Sequence, residues 1–270
     1  MQNLGNNTKE EEKKMNILVC IKQVPDMESK FKVNGEGCWY DNADLAWRMN
    51  EYDEYAVEQA VQLKEQTAGE LTVLCIGPDR VKETMKKALA MGADRGVHIA
   101  DEDFFKRDPF SIASIIAEFA KDKSFDMIFT GMQSQDRGSA QVGVLVAEIL
   151  EIPSITTIVS FAFENGTITV KRELEGGVKA VVKVPVPALV TCQLGLNTPR
   201  YPTLPNIMKA KKKELLSLPV ADLLSVAAHQ ETTSVYFPEK KGGGLVLEGD
   251  AADLADQLIT LLKEKTAVLA

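Results

Sequence analysis

The chain reads as an α/β protein: a Rossmann-like parallel sheet with helices on both faces, then an antiparallel β extension and a C-terminal arm. Three observations predict this. Short apolar runs alternate with helix-length amphipathic segments from 17 to 150, which is the pattern of strand–helix units around a parallel sheet. After Pro153 the pattern turns β-rich, with Asn165-Gly166 as a tight hairpin signal. After about residue 200 a basic run and the triglycine Gly242 to Gly244 precede a last amphipathic helix.

Each element has a local reason. Residues 1–14 are polar and charged and read as a disordered extension, with Met15 opening the fold. Ile17 to Ile21 is a buried strand. Asn50 to Gln66 carries Tyr52, Tyr55, Ala56, Gln59, Ala60 and Leu63 at helical spacing, with Asn50 as cap and Asp53 in the first turn. Leu71 to Ile76 is the second strand, and Asp79 to Met91 a helix stopped by Gly92 as an αL terminator. Gly96 to Ala100 is the third strand. Asp108-Pro109 is a cap-plus-proline start for a helix through Lys121. Phe125 to Thr130 is the fourth strand, followed by the Gly131 to Gly138 loop and a helix to Leu150. Ser154 to Phe163, Thr167 to Leu174, Val178 to Val184 and Ala188 to Gln193 form the β-rich region. Pro185 and Pro187 suit an edge or a break there. The last helix spans Asp250 to Lys265, with Leu254, Leu258, Leu261 and Leu262 on one face. The triglycine reads as a hinge.

Composition narrows the function classes. With 270 residues and 45% hydrophobic content, one large domain plus an arm is affordable. The net charge of −8 argues against a general nucleic-acid binder, which needs a basic face. No apolar run reaches the roughly 20 residues of a membrane span, and the polar N-terminus has no signal-peptide core. The expected location is cytoplasmic. Cys20, Cys38, Cys75 and Cys192 form no C-x-x-C pair, and His98 and His229 are the two histidines, so a zinc site is not expected. Cys20, Cys75 and Cys192 lie in apolar runs and read as packed hydrophobes.

No catalytic constellation emerges. His98 lies on a strand as a packed histidine, and Asp101, Glu102 and Asp103 read as a solvated loop. The loop from Gly131 to Gly143 is the candidate adenine-nucleotide-binding cradle. It follows a buried strand and opens a helix, where open α/β sheets take ligands. Free amides near Gly138 to Gln141 suit a phosphate, with Ser139 and Arg137 as further donors. It is neither G-x-G-x-x-G nor a Walker A sequence, and an ordinary strand–helix turn is an equal reading. Loops after Cys20 and Ile76 meet it at the same edge. Asn50 and Asp53 read more simply as helix capping than as ligand contacts. Gln23-Val24-Pro25-Asp26 stands where ATP-cleaving relatives of this fold carry a glycine-serine loop, which disfavours a ligase. A stand-alone nucleotide sensor is disfavoured by the arm.

The segment Arg200 to Glu214, RYPTLPNIMKAKKKE, sets an apolar plug beside Lys209, Lys211, Lys212 and Lys213. Pro202 and Pro205 stiffen it. A rigid apolar tip with charge beside it suits docking on another protein. A helix start with a solvated lysine face is an equal reading.

The chain also resembles the electron-transfer flavoprotein β-subunit family. The likeness runs from about Asn16 to Leu224, through ILVCIK, NEYDEYAVEQAVQLK, ALAMGADRGVHI, the Gly131 to Gly143 loop, VKRELEGG with PALVT, and LNTPRYPTLPNIMKAKKKE. The resemblance implies a heterodimer with an α subunit that holds FAD, with AMP or a second FAD in the β subunit. Carried over, the nucleotide contacts are Cys20, Asn50, Glu51, Tyr52, Asp53, Ile76, Ser134, Gln135, Asp136, Arg137, Gly138, Ser139, Ala140, Gln141, Val142, Gly143, Val144 and Leu145. The partner-recognition residues are Thr203, Leu204, Pro205, Asn206, Ile207, Met208 and Lys209, with Leu204 as anchor on an acyl-CoA dehydrogenase or related flavoenzyme. The implied division is 15–199 for the nucleotide domain, 200–214 for recognition and 215–270 for an arm packed on the α subunit. Asp136 to Gly143 is similar to the D-G-D-T-A-Q-V-G form of electron-bifurcating members, which oxidise NADH at a second FAD. Arg137 and Gly138 depart from it, Met27 stands near a frequent tyrosine, and Glu51 replaces a usual proline.

Overall fold

The computed structural model describes residues 14–223, 226–239 and 242–266. Of the expected extension at 1–14, all but Lys14 lies outside them. The strands are β1 (Asn16–Ile21), β2 (Gln23–Pro25), β3 (Trp47–Met49), β4 (Glu70–Gly77), β5 (Arg95–Ala100), β6 (Met127–Gly131), β7 (Ser154–Glu164), β8 (Thr167–Glu173), β9 (Lys179–Pro185), β10 (Ala188–Cys192) and β11 (Leu215–Pro219). The helices are α1 (Glu51–Thr67), α2 (Val81–Met91), α3 (Pro109–Ala120), α4 (Val142–Ile149), α5 (Leu204–Ala210) and α6 (Ala251–Lys265).

Among the described residues, nine strands form one sheet in the order β11-β5-β4-β1-β6-β10-β7-β8-β9. From β11 to β7 all neighbours are parallel, and β7, β8 and β9 run antiparallel. The central strands are buried on both faces, which is why they read as unbroken apolar runs. Alternate residues divide between two cores. Ile17, Val19 and Ile21 pack with Val57 and Ala60 of α1 and Met85 and Leu89 of α2. Leu18 and Cys20 pack with Ile115 and Phe119 of α3 and Val146 of α4. Each fully buried aliphatic side chain here contributes about 1.5–3 kcal/mol.

Local signals hold at several junctions. The Asp108 side chain accepts from Ser111 N at 2.8 Å, with Pro109 opening α3. Asn165 and Gly166 have φ of 49° and 74°, as the mirror-image hairpin turn requires. Gly92 ends α2, but at φ 148° and so outside the αL region expected for it.

Three features differ from the sequence reading. β10 belongs to the parallel sheet between β6 and β7, so the antiparallel extension is β7, β8 and β9. The expected arm from 215 begins with β11, which pairs in parallel with β5. Only Leu215 and Leu218 of β11 pack against the core, too weak a pattern to stand out after a lysine run. The division into compact units falls between Val235 and Tyr236, ahead of the triglycine.

In the second unit, Asp250 caps α6 by accepting from Ala252 N and Asp253 N at 3.0 and 3.1 Å. None of the residues of α6 is buried. Among the described residues, no helix is long and apolar enough to cross a membrane.

Candidate functional site

The first unit carries a cleft at the carboxyl ends of β1, β4 and β6, lined by Cys20, Ile21 and Lys22, by Leu74 and Ile76, and by Thr130 to Ser134. Helix α1 follows β1 on one face of the sheet, while α3 and α4 cover the other. The chain therefore changes direction beside β1, which is where open α/β sheets leave a crevice. Its apolar wall adds Ile112 and Ile116 from α3. Its rim adds Phe104, Arg107, Arg137 and Ser139 to Gly143.

Asp53 is the hub. Its carboxylate accepts from Lys22 N at 2.7 Å, Gly131 N at 3.1 Å and Asn50 Nδ2 at 3.0 Å. One side chain thus ties the ends of β1 and β6 to the start of α1. Burial pushes its carboxyl up to about 7, against the opposing pull of these donors. Gly131 leaves it room: a Cβ there would collide with Asp53 Oδ1 and lie 2.7 Å from Tyr52 Cβ. Asn50 does not cap α1 with its side chain. Its Nδ2 also donates to Gln133 O at 2.8 Å, and its Oδ1 accepts from Gln135 N at 3.0 Å. Asn50 stands at the N-cap position and Asp53 in the first turn, as expected, but the Asn50 side chain does not cap: both side chains brace the Gly131 to Gly138 loop, because that loop presents backbone groups the helix start can reach.

The loop is braced from β1 as well. Lys22 Nζ donates to both oxygens of Asp136 at 2.7 and 2.8 Å, and the Asp136 side chain is only 2% exposed. Burial drives the Lys22 ammonium below its ordinary value, while Asp136 acts to raise it. Arg137 donates to the carbonyls of Phe105 and Arg107 and stacks on Trp39, 4.6 Å from the ring centroid. It walls one side of the cleft. Helix α4 starts at Val142, later than the Gly138 to Gln141 region expected to offer its amides, and Gln141 makes no side-chain cap. Gly143 lets the helix start lie close to β6, since a Cβ would sit 2.6 Å from Thr130 Oγ1.

Cys20 and Cys192 are buried with thiols pushed up by burial, and burial takes Cys75 up to about 12. They pack as hydrophobes and are poor nucleophiles. His98 is fully buried between Gly77 O at 2.8 Å and Ser217 Oγ at 3.1 Å. Asp101 is not the solvated residue expected: it is buried and ion-paired with Arg107.

Of the nucleotide residues expected from sequence, the cleft brings together Cys20, Asn50, Asp53, Ile76, Ser134, Arg137, Ser139, Ala140, Gln141, Val142 and Gly143. Glu51 and Tyr52 stand behind it, bonded to Gln135 and Gln133. Asp136 is turned to Lys22, and Gly138 donates to Ser134 O in the loop's own turn. Val144 is exposed, and Leu145 packs on the second core. Lys22, Leu74, Phe104, Arg107, Ile112 and Ile116 line the cleft without having been expected there, as does Asp108, expected only as a cap. Asp108 is occupied as a cap: burial works against its charge, but the amides of Ser111, His229 and Gln230 hold its carboxyl below the usual range.

The recognition segment stands apart from the cleft. Thr203 caps α5, accepting from Asn206 N at 3.4 Å. Leu204 is 79% exposed and Met208 60%, while Ala210 alone in this helix is buried. Lys211 to Lys213 form a turn after α5 rather than a helical face.

The chain matches the electron transfer flavoprotein domain family over residues 38–223. It is similar to the electron transfer flavoprotein subunit beta of Bacillus subtilis (strain 168), 38% identical over 94% of this chain and 100% of that protein. The protein of the same name from Methylophilus methylotrophus is 35% identical over 93% of this chain and 98% of its own length. That of Mus musculus is 34% identical over 93% and 97%. Matched along nearly its whole length by proteins of one name, this chain belongs to the electron-transfer flavoprotein β-subunit family.

Proposed function

We propose that this chain is the β subunit of a heterodimeric electron carrier. It pairs with an FAD-bearing α subunit, holds AMP in the cleft, and presents Leu204 to an acyl-CoA dehydrogenase or related flavoenzyme. Electrons then pass to an acceptor such as a membrane quinone oxidoreductase. The observation that carries this reading is α5, a capped helix whose large apolar side chains face solvent. Such a tip fits a pocket on a partner. The flavin supplies the redox chemistry, and this chain holds and orients.

The cleft residues fit an adenine nucleotide. Leu74, Ile76, Ile112 and Ile116 offer apolar surface to a flat base. The start of α4, which no side chain caps, and Ser139 offer donors to a phosphate. Arg137 favours AMP over a second FAD, because its guanidinium is already engaged by Phe105, Arg107 and Trp39 and closes one side. The apolar face of α6, with Leu254, Leu258, Leu261 and Leu262, suits the α subunit.

Co-expression with an FAD-bearing α chain tests the proposal. A stable heterodimer reduced by an acyl-CoA dehydrogenase is expected, and one FAD with one AMP on extraction. Two FAD per heterodimer would favour the bifurcating form suggested by Ala140 to Gly143. Substrate turnover by the isolated chain would overturn the proposal.

A further inference from the structure

A helix as short as α5 is not stable by itself in water, and its single buried residue, Ala210, adds little. Something else must hold it in place. Arg200, four residues before Leu204, is clamped on α1. Its backbone N and Nε donate to Glu58 Oε2 at 3.1 and 2.8 Å, and its Nη2 donates to Glu58 Oε1 at 3.0 Å. Its Nη1 and Nη2 reach Glu65 at 2.6 and 3.1 Å. Glu58 is only 3% exposed, so this is a fork on a desolvated carboxylate rather than a loose surface pair. Asn197 adds a bond to Tyr55 O at 3.0 Å on the same helix.

The other end is clamped on α2. Lys213 Nζ donates to Leu89 O at 2.9 Å and Ala93 O at 2.5 Å. These carbonyls lie at the helix's carboxyl end, where a cation complements the dipole. Burial lowers the Lys213 ammonium below its ordinary value, as expected for a charge turned inward. Lys209, Lys211 and Lys212 are exposed.

We propose that the charges of this segment do two separate jobs: Arg200 and Lys213 are positioning residues that mount α5 on α1 and α2, and Lys209, Lys211 and Lys212 are the charges that meet a partner. The proposal rests on the reading of α5 as a docking tip. Mounting fixes Leu204 before encounter, so less ordering is lost on docking. Lys213 therefore leaves the steering run in which the sequence placed it.

The test uses the α/β heterodimer with Arg200→Lys, which keeps the charge but loses the fork. The double variant Glu58→Met/Arg200→Met removes both partners, so that no buried carboxylate is stranded. Hydrogen exchange of the α5 amides from Ile207 to Lys211 reads the mount directly. It should speed up about tenfold while β1 and β4 amides stay protected. With a medium-chain acyl-CoA dehydrogenase as donor, KM should rise about fivefold or more at unchanged kcat and unchanged salt dependence. Unchanged exchange in both variants overturns the mount. A flattened salt dependence for Glu58→Met/Arg200→Met also overturns it, since the charge at position 200 would then face the partner itself. Faster exchange with an unchanged KM keeps the mount and removes the docking reading.

Discussion

The cleft and the α5 tip are built on opposite plans. In the cleft, polar side chains turn inward and bond to groups far away in sequence: Lys22 to the Asp136 carboxylate, and Asn50 and Asp53 to the backbone of Gln133, Gln135, Lys22 and Gly131. At the tip, apolar side chains turn outward, and Leu204 and Met208 touch mostly solvent. Helix α1 serves both, bracing the cleft at its start and holding Arg200 along its length. A change in the cleft therefore acts on folding and ligand together. A change at the tip acts on docking and leaves folding alone.

The sharpest way to break that contrast is Gly131→Ala. The new methyl meets Asp53 Oδ1, Tyr52 Cβ and Asp53 N, and Asp53 cannot yield without releasing its donors. A loss of about 3 kcal/mol of stability is expected, read as a lower urea midpoint with lower nucleotide content. A wild-type midpoint would show that the hub is not rigid.

Asp53 gives a pH signature. Its folded-state carboxyl, near 7, lies above the ordinary value of about 4. The folded chain thus holds a proton that the unfolded chain has released between those values. The contribution is full below pH ~4 and is lost as the pH rises through about 7, with a slope of at most ~1.4 kcal/mol per pH unit. Asp53→Asn should flatten that part of the stability profile between pH 5 and 8. An identical profile would place the titration elsewhere.

The smallest effect belongs to the tip's rim. Lys211→Ala and Lys212→Ala should each weaken docking by about 0.2–1 kcal/mol at low salt and by less at high salt. Stopped-flow reduction across ionic strengths reads this, and a salt-independent loss would contradict a steering role.

The same contrast explains what the sequence made legible. The βα alternation, the Asp108-Pro109 start, the Asn165-Gly166 turn and the exposed tip are local patterns, and local patterns survive in a one-dimensional reading. β2, β3 and β11 were missed because they are short and weakly patterned. In the candidate site, Cys20, Ile76 and the Ser139 to Gly143 stretch were found because strand ends and loop glycines mark themselves. Lys22 was not, because a lysine after a buried strand looks solvated until Asp136, 114 positions away, comes to meet it. Asn50 and Asp53 were placed correctly at the start of α1, but their bonds to the Gly131 to Gly138 loop were not foreseen, since nothing local reports a loop folding over them. Arg200 was given no role because its partner Glu58 lies 142 positions earlier.

The most direct test pairs two readouts on the Leu204→Ala heterodimer: extracted adenine nucleotide and the rate of electron transfer from an acyl-CoA dehydrogenase. The predicted result is an unchanged nucleotide content and unfolding midpoint with a rate lowered by at least about tenfold at subsaturating dehydrogenase. A wild-type rate, or a loss of nucleotide alongside it, would contradict the separation of cleft and tip.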